Sequence, residues 1–238
     1  MAIAFDAGSA ADGATGTSQT LSHTVTGSDT ILWVGGFSNN SSIPSGATFN
    51  GTTMTGSVSQ LNNSPNGNES LQLFYLPAAA TGTHNIVVTW SSSNPNPSVS
   101  GASFTGATQS AVTEGTNIQN GTATSVTCSI TTSADNCMAV MYVRPNATAA
   151  AGTNSTVINA TTPIARMFYS TTAKTPAGSM SMQSTFSSAA FTALMAAFPP
   201  VSAAGPANLK SRSGNLKANI KTNSGNTLAN MKSLSGNS

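Results

Sequence analysis

Ionisable side chains are the scarcest feature of this 238-residue chain, in which Asp, Glu, Lys and Arg together make up 6% of the residues. An average globular domain has about 25%. Six acids and two histidines offer little material for an active site of converging acids and bases. His23, on a strand pattern, and His84, in a turn, are each expected to have a structural or surface role. Neither a phosphate-binding glycine motif nor a metal-ligand spacing is present. We therefore expect no cofactor, no metal site and no enzymatic activity.

Long apolar runs are also missing, which excludes the pattern of a membrane-spanning helix. The N-terminus lacks a basic region followed by an apolar one, so no signal peptide is expected. Two cysteines, Cys128 and Cys137, are too few for a disulfide scaffold. They flank a predicted hairpin, VTCSITTSADNCMAV, over residues 126–140. This placement predicts either two free thiols on facing strands, which is the favoured interpretation, or a cross-strand disulfide.

What the sequence does contain is a succession of short apolar segments separated by turns. Val126, Cys128 and Ile130 alternate with polar residues, as on a strand with one buried face. Asn-Gly pairs predict turns at 50–51, 66–67 and 120–121. Candidate strands cover residues 20–27, 29–37, 46–55, 70–78, 84–91, 98–107, 123–130, 137–144, 162–170, 178–186 and 191–199. In residues 188–198 a helix competes, but a final core strand is favoured. The pattern predicts an all-β fold, an antiparallel β-sandwich or jelly roll over residues 1–198.

The C-terminal part differs from the rest in charge and in pattern. Residues 1–200 carry six acids and three cations, whereas residues 201–238 carry five cations and no acid. Prolines and small residues over 199–206 predict a linker. Three copies of an 11-residue unit follow in residues 207–238, reading ANLKSRSGN, ANIKTNSGN and ANMKSLSGN. Each copy predicts a short strand and a Ser-Gly-Asn turn, which together form a small β-rich segment.

These short strands bury too little apolar surface to fold alone, because ordering each residue costs about 1–2 kcal/mol. We expect the basic tail to gain order against sister copies in a homo-oligomer, with a trimer favoured, or against another protein. A flexible, solvated tail is the alternative. The tail has no aromatic residue for base stacking, so a protein partner is favoured over nucleic acid. Assembly and docking are expected to involve Leu209, Lys210, Arg212, Lys217, Ile220, Lys221, Met231 and Lys232.

Carbohydrate binding is a second use for which the sequence offers candidates. Trp33 and Trp90 lie within strand patterns, where core packing is favoured over a stacking platform for sugars. Loops rich in Asn and Ser either solvate the loop tips, which is favoured, or hydrogen-bond glycans; they cover residues 38–46, 60–69 and 91–98. If the domain binds a glycan, the contacts are expected from Trp90, Asn62, Asn63 and Asn66.

Several stretches resemble a β-sandwich module of phage-encoded and related bacterial structural proteins. They are MAIAFDAG, LSHTVTGSDTILWVGG, GTHNIVVTW, and SFTGATQSAVTEGTN leading to VTCSITTSADNCMAVMYV. The C-terminal repeats resemble short repeats that end phage virion proteins, although they have Ser-Gly at the turn where Asn-Gly is commoner. The resemblance implies a non-enzymatic virion component, such as a head decoration, head fibre or tail fibre protein, in contact with other virion proteins. An adhesin module that recognises a host-surface glycan is the alternative.

Overall fold

The computed structural model describes residues 2–40, 42–61, 67–112, 114–159, 161 and 163–201. Fifteen strands and no α-helix lie in these ranges, which confirms the all-β prediction. The strands are β1 Ala4–Asp12, β2 Gly16–Val25, β3 Ile31–Ser38, β4 Pro44–Phe49, β5 Thr52–Thr53, β6 Thr55–Gln60, β7 Ser70–Pro77, β8 Gly82–Asn94, β9 Ser98–Thr105, β10 Thr116–Thr131, β11 Met138–Pro145, β12 Ala150–Ala151, β13 Thr156–Val157, β14 Arg166–Tyr169 and β15 Ser179–Phe198. The predicted β-rich segment over 207–238 lies outside the described residues.

The strands form three antiparallel sheets, where a simple sandwich would have two. The five-stranded sheet has the order β1-β9-β3-β7-β6, and the four-stranded sheet has the order β2-β8-β4-β5. The six-stranded sheet has the order β10-β15-β11-β14-β13, with β12 paired to β15. Residues of β3 alternate between two hydrophobic clusters, as the period of two requires. Trp33 and Phe37 pack with the six-stranded sheet, whereas Leu32 and Val34 pack with the four-stranded sheet. The five-stranded sheet is therefore the middle layer.

Two glycines in the middle of β3 let the outer sheets approach it closely. A Cβ atom added at Gly35 would lie 2.8 Å from the ring of Tyr142 in the six-stranded sheet. One added at Gly36 would lie 3.0 Å from Val88 in the four-stranded sheet. Tyr142 is fully buried, and its hydroxyl donates a hydrogen bond to the Ser98 carbonyl oxygen (3.2 Å). The Gly-Gly pair in an apolar strand thus marks close packing on both faces.

The six-stranded sheet has a second hydrophobic cluster on its outer face. The pairing of β10 with β15 loses register between Ala123 and Ser125, where β15 contributes the extra residues. Beyond this point, Val126 and Cys128 of β10 belong to the same cluster as Met141 of β11. The part of the β10–β15 pair beyond the register shift, residues 125–131 with residues 179–185, therefore folds over the outer face of its own sheet.

The C-terminal end of the described chain is a core strand. Residues 188–198 lie in β15, so the prediction of a strand in preference to a helix is confirmed. β15 is continuous through the gap between the predicted strands 178–186 and 191–199. After it, the Thr108 amide donates to the Pro199 carbonyl oxygen (3.0 Å), and the Val201 amide donates to the Gly106 carbonyl oxygen (2.9 Å). These two bonds attach the first residues of the predicted linker to the body.

The predicted hairpin over 126–140 is wrong, because β15 lies between β10 and β11 in the sheet. Cys128 and Cys137 are free and buried, so the free-thiol interpretation is correct, but the thiols are not on facing strands. The Asn-Gly pair at 120–121 is not a turn and lies inside β10, with Gly121 packed against the Phe191 ring. The pair at 50–51 does form the turn between β4 and β5, with positive φ at both residues. The pair at 66–67 begins outside the described residues.

Candidate functional site

The residues that the sequence nominates for assembly and for glycan contact fall mostly outside the described chain. This holds for all eight tail residues and for three loop asparagines: Leu209, Lys210, Arg212, Lys217, Ile220, Lys221, Met231, Lys232, Asn62, Asn63 and Asn66. Trp90 is described and is 4% exposed, within the cluster between the five- and four-stranded sheets. Trp33 is fully buried as well. Core packing is therefore the correct interpretation for both indoles, and the nomination of Trp90 as a glycan contact is wrong because its ring faces are covered.

Two of the Asn- and Ser-rich loops hold each other in place. Asn40 donates from Nδ2 to the Ser93 carbonyl oxygen (3.0 Å), and Ser42 donates from Oγ to the Ser92 carbonyl oxygen (2.6 Å). Asn94, which is fully buried, donates from Nδ2 to the Phe37 carbonyl oxygen (3.1 Å). The polar side chains of loops 38–46 and 91–98 thus satisfy backbone groups between strands, which is a structural use.

His23 is a buried strand residue with a neutral ring. It is 2% exposed, and its Nδ1 lies 2.8 Å from Ser9 Oγ. Burial lowers the pKa of His23 to about 4, and the opposing attraction of Asp6 is smaller. Its Nε2 is buried without a hydrogen-bond partner among the described residues. A ring that stays neutral and has no access to solvent is not placed to transfer protons to a substrate.

His84 lies beside a shallow groove on the four-stranded sheet. Its Nε2–H donates to the Thr81 carbonyl oxygen (3.0 Å), and its ring meets Phe49 edge-to-face at 5.5 Å between centroids. The groove has a volume of about 430 Å³ and is lined by Thr48, Asn50, Gly51, Thr83, His84, Asn85 and Val87. Hydroxyl and amide groups of this kind hydrogen-bond neutral polar ligands.

Neither cysteine is a reactive thiol. Burial raises the pKa of Cys128 to about 12, and burial is also the main cause that raises the pKa of Cys137 to about 11. Because the thiolate is the nucleophile and the metal ligand, both side chains behave as small core residues. The described residues include no group of three His, Cys, Asp or Glu side chains suited to a metal ion.

Five acidic side chains of the body bind residues on other strands or loops, and we call these interactions the carboxylate contacts. The five acids are Asp6, Asp12, Glu69, Glu114 and Asp135. Asp6 accepts hydrogen bonds from the amide and hydroxyl of Thr26 and from the hydroxyl of Ser103. Partial burial acts to raise the pKa of Asp6, but these hydrogen bonds outweigh it, so the pKa lies below its usual value. Asp12 accepts from the amide of Ile164 at 3.0 and 3.2 Å, which joins β1 to the segment before β14.

Two further carboxylates bind backbone amides in the segments that follow β10 and precede β15. Glu114 accepts from the amide (2.7 Å) and the hydroxyl (3.0 Å) of Ser133, just after β10. Asp135 accepts from the amide of Ala177 (2.6 Å), in the segment that leads into β15. Hydrogen bonds of this charge-assisted kind are stronger than neutral ones.

The fifth carboxylate contact is a buried ion pair. Arg144 Nη2 lies 3.1 Å from Glu69 Oε1, and the two side chains are 13% and 5% exposed. The Arg144 guanidinium also lies 5.2 Å from the centre of the Phe37 ring and donates to Asn146 Oδ1 (3.1 Å) and the Pro145 carbonyl oxygen. This pair ties the start of β7 to the end of β11.

A second arginine shares a small pocket with Arg144. This arginine pocket has a volume of about 240 Å³ and is lined by Arg144, Pro145, Ala147, Thr148, Ala149, Pro163, Ile164 and Arg166. Pairing of β11 with β14 places Val143 opposite Arg166, which brings the two arginines together although 22 positions separate them. Arg166 Nη1 donates to the Ala149 carbonyl oxygen (2.7 Å), and burial lowers the pKa of Arg166. No pattern in the sequence indicates this pocket; the only signal is that cations are rare.

The remaining candidate surface is the free edge of β10. It is the longest strand at any sheet edge, with 16 residues, and among the described residues it pairs only with β15. It contains neither a charged residue nor proline, and Ile118 on it is 38% exposed. Edge strands normally carry charges, prolines or bulges that block pairing with another chain. β10 has a register shift at residues 123–125 but no charge or proline, so the regular stretches on either side of the shift are suited to such pairing.

Among the described residues there is no helical segment with the length and hydropathy that crossing a bilayer would require. No protein-family model matches the chain, and neither a curated protein nor a solved structure matches it.

Proposed function

We propose that this protein is a non-enzymatic structural component of a phage virion, a head decoration, head fibre or tail fibre protein with a β-sandwich body. The observation that carries the proposal is that the acidic side chains bind other parts of the chain. Five of the six carboxylates of the chain, namely Asp6, Asp12, Glu69, Glu114 and Asp135, bind a residue on another strand or loop. The few acidic side chains of this chain hold its strands and loops together. This structural use is what we expect of a scaffold protein.

Assembly completes the proposal. The body carries a net negative charge and the residues after 200 a positive one, so the tail of one copy is attracted to the body of another. The basic repeats dock onto sister copies or onto another virion protein. The free edge of β10 supplies a place where a second copy adds a strand, as in β-augmentation.

The experiment is to locate the protein in particles. We expect an antibody against the body to detect it in gradient-purified virions of the phage that encodes it, and a gold label to mark a regular position in electron micrographs. Detection only in the soluble fraction of the lysate, with none in purified particles, would rule out a virion role.

Host-glycan binding is the second candidate function, and the groove beside His84 favours it. Its hydroxyl and amide side chains match the hydrogen-bonding needs of sugar hydroxyls. A glycan array probed with the full chain tests this role. If the groove binds, Asn85→Ala weakens a specific signal while Ser93→Ala, which is exposed outside the groove, does not. A signal lost only on replacing Asn62, Asn63 and Asn66 would place the glycan on that loop, as the sequence predicts.

A further inference from the structure

We propose that the arginine pocket binds a small organic carboxylate, with Arg166 as the residue that receives the carboxylate group. The proposal does not depend on the structural role, because it concerns a ligand and not an assembly contact.

Charge is the first argument. The described residues contain three arginine and lysine side chains, Arg144, Arg166 and Lys174, and two of these line one pocket. Arg144 is paired with Glu69. No carboxylate of a described residue forms such a pair with Arg166. The Asp12 carboxylate, bound to the amide of Ile164 at the wall, forms no ion pair with Arg166. Among the described residues, Arg166 is therefore the arginine of this pocket without a carboxylate partner.

The hydrogen bonds of Arg166 give the second argument. Nη1 is occupied by the Ala149 carbonyl oxygen. Nε is buried, and no described residue accepts its hydrogen. Nε and Nη2 form the side of a guanidinium that binds both oxygens of a carboxylate, and this side has no acceptor among the described residues. Burial lowers the pKa of Arg166, so an arriving anion would also relieve the penalty on the charge.

The shape of the pocket selects the ligand. Pro145, Pro163 and Ile164 supply apolar walls, and Thr148 supplies one hydroxyl side chain. A volume of about 240 Å³ is below the usual range for drug-sized ligands, about 300–1,000 Å³. A monosaccharide-sized acid fits this description, because its body contacts the walls while its carboxylate meets Arg166. Sulfate and phosphate, which are strongly hydrated and have no apolar part, do not use the walls.

The test is a titration of the full chain with glucuronate and with glucose, which differ in the carboxylate. Binding is followed by the Nε–H signals of the arginines in ¹H–¹⁵N NMR spectra. We expect glucuronate to shift the Arg166 signal saturably, with a dissociation constant in the millimolar range, and glucose to leave it unchanged. Sulfate is the third probe, and we expect it to bind at least about tenfold more weakly than glucuronate.

Variants of Arg166 distinguish the effect of its bidentate guanidinium geometry from the effect of its charge. Arg166→Gln should weaken glucuronate binding at least about tenfold. Arg166→Lys keeps the charge and loses the bidentate geometry, so it should also weaken glucuronate binding. Lys174→Gln, outside the pocket, should leave glucuronate binding unchanged. Thermal unfolding of each variant shows whether it is folded; if Arg166→Gln is not, Arg166→Lys carries the test. Equal binding of glucose, equal binding by the folded Arg166 variants, or no shift with glucuronate would each overturn the proposal. Sulfate that binds as well as glucuronate would show a simple anion site and would overturn it too.

Discussion

The carboxylate contacts and the β10 edge are two polar regions of the same body with opposite uses. Each carboxylate contact joins two parts of the chain, and the Glu69–Arg144 pair is almost closed to solvent. The outward residues of β10, such as Thr122 and Thr124, are exposed, and their strand pairs on one side only among the described residues. The comparison teaches that the first region binds parts of the chain to one another, whereas the second leaves one edge of a strand without a partner among the described residues.

Removing one partner of the ion pair should have the largest effect on this comparison. Glu69→Ala leaves the Arg144 charge buried without its carboxylate, and we expect a loss of about 3 kcal/mol in the free energy of unfolding, measured by urea denaturation. Glu69→Gln keeps the shape and the hydrogen-bonding oxygen, so its loss should be clearly smaller. A loss below about 1 kcal/mol for Glu69→Ala would mean that the pair behaves as a surface salt bridge.

The buried His23 should make the body sensitive to mild acid. Its pKa is lowered to about 4 in the fold, from an ordinary value of 6.5. Between these values the unfolded chain binds a proton that the folded chain does not. Stability is therefore full above about pH 6.5 and falls as the pH drops to about 4, by up to about 3 kcal/mol. Urea denaturation at about pH 7 and about pH 4.5 measures the difference.

His23→Gln is the variant that isolates this effect. The amide cannot take up a proton, so the loss of stability between the two pH values should shrink in His23→Gln. His84→Gln, at the surface groove, is the matched control and should behave as the unaltered chain does. If His23→Gln keeps the whole pH dependence, another group is responsible.

The close packing at Gly35 should give an intermediate effect. Gly35→Ala places a methyl group against the Tyr142 ring, and overpacking of this kind costs about 1–3 kcal/mol. Gly16→Ala is the control, because the nearest atom to its added Cβ is at 3.5 Å, an ordinary contact. Thermal unfolding of the two variants should therefore separate them, and equal midpoints would show that the sheets can shift apart without loss.

Much of the strand content could be predicted from the sequence, whereas the order of the strands could not. Alternation of apolar and polar residues predicts β2 and β8, because one face of each strand is buried. The Asn50-Gly51 pair predicts the turn between β4 and β5. β1 was not predicted, because its small residues show no alternation of large apolar side chains. The insertion of β15 between β10 and β11 depends on contacts far apart in the chain, so local patterns favoured the hairpin.

The candidate site was even less visible in the sequence. Arg144 and Arg166 are 22 positions apart, and only the pairing of β11 with β14 brings them to one pocket. Trp90 illustrates the opposite difficulty. An indole in an apolar strand has the same sequence signal whether it packs inside or stacks on a sugar, and burial decides between the two.

The mass of the full chain in solution tests the structural account most directly. Multi-angle light scattering should give a multiple of the 23.8 kDa chain mass. Thr122→Lys with Thr124→Lys, on the β10 edge, should lower that mass and change the free energy of unfolding by less than about 0.5 kcal/mol. Thr52→Lys with Thr53→Lys, on exposed β5, adds the same charge and should leave the mass unchanged. A chain that stays at 23.8 kDa at every concentration would contradict the account.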